Sequence, residues 1–291
     1  MRSLLAILLV GMLPLSASAW TEKGHFMINQ LAIDAAGPYL PEFMNGSRTQ
    51  LIYDAYEPDR WREETHSPMN IAQAPDHFLD SEYWGPISTI EPDRYRFMEK
   101  VAARKIDLDR IGYLPYAIVE NYGRLVNAFR HWRQARTAGD RESARANAVH
   151  YAGVMGHYVG DGSQPMHLTI HFNGWAGNVP NPKNYTKDRK LHLRYEHTYV
   201  NAAIEIARVK PKVLTPQRLT DVFGSIKQYL TTSFADVEPM FEQEKSGEFN
   251  PEHPREKGTE FVANEIAHAA TMLANLWLTA WRESGEPIPR Q

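Results

Sequence analysis

The chain is expected to fold as an all-α, single-domain multi-helix bundle with long loops. Apolar residues recur at helical spacing in its best-patterned stretches, glycine and proline punctuate the segments between them, and no alternating strand pattern of useful length appears. Tyr122, Leu125, Val126, Phe129 and Trp132 fall at i, i+3, i+4, i+7 and i+10, the stripe of a helix packed on a core. Val262, Ile266, Leu273, Leu276, Trp277 and Ala280 give a second such face near the end of the chain. A length of 291 residues allows one large domain or two small ones, and a hydrophobic content of 43% is ample for a packed core. There is no internal repeat, so residues 20–291 are read as one domain.

Residues 1–19 read MRSLLAILLVGMLPLSASA. Arg2 supplies a positive start, Leu4 to Leu15 an apolar centre, and Ala17-Ser18-Ala19 a small-residue cleavage site, the pattern of a signal peptide. About 12 apolar residues fall short of the ~20 that a membrane-spanning helix needs. No later stretch is apolar enough to span, so the mature protein is expected to be secreted or periplasmic, without an integral span. Cysteine is absent, although exported proteins usually have disulfides available to them. Stability must then come from the core and from bound metal.

The elements follow in order. Gly24 to Ala36 suits an amphipathic helix ended by Gly37-Pro38, and Arg48 to Tyr56 a second one before Pro58. Residues 58–97, rich in proline and aromatics, read as a long ordered surface loop, and such loops are often functional. A helix runs from Pro115 to Gly139-Asp140, and the next from about Arg141 to Tyr158. Residues 168–190 form a Gly/Asn/Pro loop. The stretch from Leu191 to Val209 reads as a helix, another starts at Thr215-Pro216 and reaches the Pro239 region, and the last covers Thr259 to Glu283.

Chemistry concentrates in His150 to His167, HYAGVMGHYVGDGSQPMH. At i, i+4 on a helix, His157 and Asp161 stack an imidazole and a carboxylate on one face. Gly160, Gly162 and Pro165 are expected to end that helix, placing His167 on a loop that folds back over the same face. Two imidazoles and a carboxylate suit zinc. His192 and Glu196 repeat the i, i+4 spacing, and His25, Asp59 and His77 stand near helix ends or prolines. Of the 12 histidines, five are candidate ligands: His25, His77, His157, His167 and His192. His150 is better read as hydrogen-bonded to backbone or carboxylate. Cleavage after Ala19 would leave Trp20 first, with an α-amine of pKa near ~8 that is easily deprotonated for metal binding.

In order, a mature-terminal Trp20, Gly24-His25, Pro58-Asp59, Asp76-His77-Phe78, the His157–His167 motif and His192-x-x-x-Glu196 resemble the zinc-dependent phospholipase C and single-strand nuclease superfamily. The resemblance spans Trp20 to about Glu196. It implies an all-α fold holding three zinc ions in one cleft. One zinc would take Asp59, His77, His157 and Asp161. A second would take the amine and carbonyl of Trp20 with His25 and the bridging Asp161. The third would take His167, His192 and Glu196 and keep an open position. Three Zn²⁺ against Asp59, Asp161 and Glu196 leave the cleft at about +3, able to attract a phosphodiester although the chain carries a net charge of −3. The implied activity is phosphodiester hydrolysis by metal-activated hydroxide, with Asp59 also orienting or deprotonating the water.

The substrate is less directly written. Tyr195-Glu196 looks phospholipase C-like, since the nucleases usually close the third site with Asp and carry a Gly-Gly-Asn loop motif that is absent here. Arg60 and Ala74 stand where the phospholipases have aromatic walls for choline, so that cation–π contact is missing. Arg62 occupies a position where the nucleases grip phosphate, and Phe78 could stack a base. Tyr83, Trp84, Phe172 and Trp175 are further candidate platforms. Phospholipase C-like chemistry is favoured, with a single-strand nuclease or 3′-nucleotidase as the alternative. A third reading is a non-catalytic, zinc-stabilised binding module, and a monomer is expected.

Overall fold

A computed structural model describes residues 20–62 and 67–287; the leader at 1–19 and His66 lie outside them. Among the described residues the regular elements are helices, with one isolated bridge between Phe172 and Gly174. The main helices are α1 (Glu22–Ala36), α2 (Arg48–Asp54), α3 (Leu114–Gln134), α4 (Ala138–Ser163), α5 (Val222–Ala235) and α6 (Glu256–Glu283). No helix among them is long and apolar enough to cross a membrane.

The hub is α4, which packs on α1, α2, α3, α5 and α6. Its last turns, Ala152 to Ser163, are buried all round, as a helix enclosed by neighbours requires. Small residues permit that enclosure. A Cβ on Gly156 would sit 1.8 Å from Asn29 Oδ1, and one on Gly160 would sit 2.8 Å from His25 Nδ1. The glycines expected to end α4 instead lie inside it, where Gly160 lets α1 approach and Gly162 lets α5 approach. The helix stops at Ser163, with Gln164 as its cap and Pro165 opening a single 3₁₀ turn, Pro165–Leu168. Asn29 fastens three helices together, its amide donating to Leu51 O at 2.6 Å and Gly153 O at 3.0 Å. From the far side, Trp277 Nε1 of α6 donates to Ala152 O and Tyr229 OH of α5 to Val159 O.

Other boundaries also differ from expectation, for identifiable reasons. The 58–97 loop is a chain of short helical turns, Glu57–Arg60, Pro68–Gln73, Ala74–His77, Ser81–Trp84 and Ile87–Thr89. Pro58, Pro68 and Pro75 sit in first turns, where their missing N–H costs nothing. The loop is not confined to the surface: Leu79, Ile87 and Ile90 join the core. Residues 213–221 do not begin a helix. Leu214, Gln217 and Leu219 donate backbone N–H groups to Thr271, Asn275 and Thr279, spaced one turn apart on α6, and Asp221 caps α5 only afterwards. Of the α3 stripe, Trp132 is only partly buried and packs on Phe43 and Trp281.

One acid lies deep in this core. Glu265 of α6 is fully enclosed, and burial together with the Asp236 carboxylate it hydrogen-bonds holds its carboxyl well above the ordinary 4.5. A raised folded-state pKa means that folding favours the protonated form. Its stabilisation is complete below about pH 4.5 and is lost as pH rises toward the folded value, by up to ~1.4 kcal/mol per pH unit. Glu265→Gln, which keeps an N–H donor for Asp236, should therefore melt above wild type at pH 8, the gap closing toward pH 4.5; thermal unfolding across that range is the check, and a gap that widens in acid would contradict it.

Candidate metal centre

His157 and Asp161 emerge from the last two turns of α4, both with no exposed surface. The C-terminal end of a helix carries partial negative charge and favours cations. Asp161 adds a full charge there, and neither of its carboxylate oxygens has a hydrogen-bond partner. Burial, with Asp59 and Glu196 nearby, pushes its pKa well above the usual carboxylate range. A cation placed among these oxygens would reverse that cost.

Imidazoles surround the carboxylate. His25 of α1 stacks on His157 with ring centroids 4.0 Å apart and places Nε2 3.5 Å from Asp161 Oδ1. His77, on the 3₁₀ turn Ala74–His77, places Nδ1 3.1 Å from Asp161 Oδ2 and 3.0 Å from His157 Nε2. Asp59 Oδ1 is 3.7 Å from His77 Nδ1 and 3.8 Å from His157 Nε2. Beside this group stands a second. His167 and His192 bring their Nε2 atoms within 3.1 Å, and Glu196 Oε1 lies 3.4 Å from the first and 2.6 Å from the second. Three buried groups are thus able to hold metal ions: His25, His157 and Asp161; Asp59, His77 and His157; and His167, His192 and Glu196.

Backbone carbonyls aim two of the rings. His157 Nδ1 is 2.8 Å from Ala55 O and His167 Nδ1 is 2.6 Å from His77 O, so the Nε2 of each faces the cluster and, in the neutral ring, points its lone pair there, a common way of orienting metal-binding histidines. Leu79 N in turn donates to His167 O at 2.8 Å, zipping the His77 segment to the His167 turn. Burial, reinforced by neighbouring cationic groups, holds His25 and His77 well below the ordinary imidazole value and His157 down to about 3. These rings are neutral at physiological pH, the state in which imidazole binds metal. His167 goes the other way: burial opposes its charge, but Asp161 and Glu196 outweigh it and lift it to about 9. Burial would raise Glu196, but His192 and His167 hold it low.

Trp20 is wholly buried directly beneath Asp161's turn. Its indole Nε1 donates to Gly160 O at 3.0 Å and Ser163 Oγ at 3.1 Å. The next residue ties to the other group, Thr21 Oγ1 donating to Glu196 O at 3.2 Å. The stretch from Leu191 to Val209 is not one helix but Leu191–Leu193, a π-helical turn Arg194–Tyr199, and the short helices Val200–Ala203 and Ile206–Val209. Wider turns of this kind recur at functional sites.

A cleft of about 410 Å³ opens onto His77, His167 and His192. Arg62 and Phe78 line it, as do Ala74, Tyr83 and Phe172. Trp84 and Trp175 do not; they pack on Phe97 and on His171. Arg60 turns away, over the rings of Tyr53 and Tyr56. His150 pairs with Asp54 at 3.3 Å, outside the cluster. Three charged cleft residues escaped the sequence reading, Asp80, Asp109 and Arg110. Burial, aided by Glu82, lifts the Asp80 carboxyl to about 7. Asp80 was discoverable from alternation, since Phe78 and Asp80 flank the core residue Leu79; Arg110, far along the chain, left no such mark. A larger opening of about 820 Å³ near Lys23, Tyr56 and Arg60 contains none of the clustered residues, and of the two only the smaller cleft reaches them.

No protein-family model matches the chain, and no curated protein matches it.

The burial of Asp161 without hydrogen bonds yields a test. Metal-free Asp161→Asn should melt above metal-free wild type at pH 7, by roughly 2 °C or more, because the isosteric amide avoids the buried carboxylate. Differential scanning calorimetry after chelation measures this; a lower melting temperature would show that Asp161 is compensated internally.

Proposed function

We propose that this protein is an exported zinc-dependent phosphoesterase of the phospholipase C and single-strand nuclease type. The observation that carries the reading is the set of three buried His/Asp/Glu groups, two of which reach an open cleft through His77, His167 and His192. The donor set and spacing suit zinc. Tetrahedral zinc with bonds of about 2.0–2.2 Å separates its ligand atoms by roughly 3.4 Å, and many of the donor atoms here lie 3.0–3.8 Å apart. His25, Asp59, His77, His157 and Asp161, with the amine and carbonyl of Trp20, would hold two ions; His167, His192 and Glu196 would hold the third.

When bound, zinc supplies Lewis acidity toward phosphoryl oxygens and lowers the pKa of water toward ~7. The protein's own groups do the rest. Arg62, with its guanidinium 3.4 Å from Asp59, and Arg110 offer donors to the non-bridging oxygens of a phosphodiester. Asp59, beside the imidazoles of His77 and His157, is placed to accept a proton from attacking water. Phe78, Tyr83 and Phe172 give the cleft aromatic faces, and the Asp80 carboxyl offers a hydrogen bond to the bound substrate.

Phospholipase C-like chemistry is the primary reading, on the strength of Tyr195-Glu196. The lining of the cleft favours a second. Arginines beside aromatic faces and a carboxyl match the phosphate and base of a single-stranded nucleic acid or 3′-nucleotide, whereas Ala74 offers no aromatic wall for choline. Zinc-loaded protein assayed side by side on phosphatidylcholine, single-stranded DNA, RNA and a 3′-nucleotide should hydrolyse at least one of them. Arg62→Ala should lower kcat/KM on that substrate roughly 10-fold or more, as loss of a charge-assisted hydrogen bond predicts. Inactivity on all four with zinc bound would favour a non-catalytic binding module.

The leader enters the same reading. A protein retaining one extra residue before Trp20 has an amide in place of the α-amine, without the amine's basic lone pair. Its activity should fall roughly 10- to 100-fold or more, while the melting temperature of its metal-free form stays near that of the metal-free mature protein; equal activity would remove Trp20 from the proposed ligands.

A further inference from the structure

Gln164 sits between the end of α4 and the His167 turn, and its side chain is fully buried. Both ends of its carboxamide are assigned by their neighbours. Oε1 accepts the backbone N–H of Met166 at 2.6 Å, so Nε2 faces the opposite way, where it donates to Glu196 Oε1 and lies 3.5 Å from His192 Nε2. A flipped amide would set a carbonyl oxygen against a carboxylate and an NH₂ group against an N–H, leaving both contacts repulsive. The backbone is pinned as well: Gln164 N donates to Asp161 O at 3.1 Å and Gln164 O accepts from His167 N at 3.0 Å. One residue therefore joins the helix bearing His157 and Asp161, the turn bearing His167, and the π-helical turn bearing Glu196.

We infer that Gln164 is a positioning residue for the third metal group: its amide holds Glu196 Oε1 and fixes the carboxylate beside His167 and His192. Glu196 Oε2 has no hydrogen-bond partner and remains available to a metal ion. A neutral donor is the chemistry this place requires. A carboxylate here would set a second anion against Glu196, and an aliphatic side chain would leave Glu196 Oε1 short of a donor and the buried Met166 N–H without an acceptor. Hydrogen-bond partners of metal ligands typically change metal affinity by roughly 10- to 100-fold when removed.

The inference rests on the zinc reading above. Wild type, Gln164→Leu and Gln164→Glu are loaded with zinc and titrated with a chelator, zinc per chain is counted by mass spectrometry, and the metal-free forms are melted. In both variants one zinc equivalent should leave at a chelator concentration roughly 10- to 100-fold lower than in wild type, with the other two unchanged, and both metal-free variants should still unfold in one cooperative transition, below metal-free wild type. Release curves identical to wild type would overturn the role of Gln164 and leave the zinc reading standing. So would parallel loosening of all three equivalents with a collapse of the metal-free melting temperature in both variants, which marks a general packing role. A wild type that binds no zinc would overturn both.

Discussion

A carboxylate in a dry helical core must find a cation, take up a proton, or destabilise the fold. Asp161 stands in that position, in the last turn of the most enclosed helix, where the helix end itself is negative and its two oxygens lack hydrogen-bond donors. Around it the imidazoles of His25, His77 and His157 are kept neutral by burial. They bring lone pairs rather than charges. The arrangement is poorly satisfied by protein alone and well satisfied by metal, and much of the surrounding architecture follows from holding it in place.

The helices do so by close approach. Gly156 and Gly160 bring α1 against α4, which is why His25 lies flat on His157 and why Trp20 reaches the carbonyl of Gly160. The irregular segments do it by backbone hydrogen bonds. His167 and the His77 segment exchange contacts in both directions, and the chain from Leu191 turns through a π-helical stretch to face them. Candidate ligands scattered over most of the chain are thus carried on helices or on turns pinned to helices, as a site of fixed geometry requires.

Much of this was legible in the sequence. Helical periodicity marked α3 and α6, and the i, i+4 pairs His157/Asp161 and His192/Glu196 both come together in space. The ends of the elements were less legible. Glycine near position 160 carries the same sequence signal whether it stops a helix or admits a neighbour, and only the presence of His25 opposite decides between them. Thr215-Pro216 resembles a helix start, yet the following residues run along Thr271, Asn275 and Thr279 instead, because hydrogen-bond acceptors on α6 outcompete the local preference. Of the four loop aromatics, Tyr83 and Phe172 face the cleft, while Trp84 enters the core and the partly buried Trp175 packs against it. Side-chain direction on irregular backbone follows no fixed period, so composition could not separate the two pairs.

The proposed zinc chemistry requires metal to fill these groups once the chain begins at Trp20. Native mass spectrometry of the mature protein, purified without chelator and with zinc supplied, reads this directly. Three zinc ions per chain is the predicted result, and a protein that keeps one or none would contradict it.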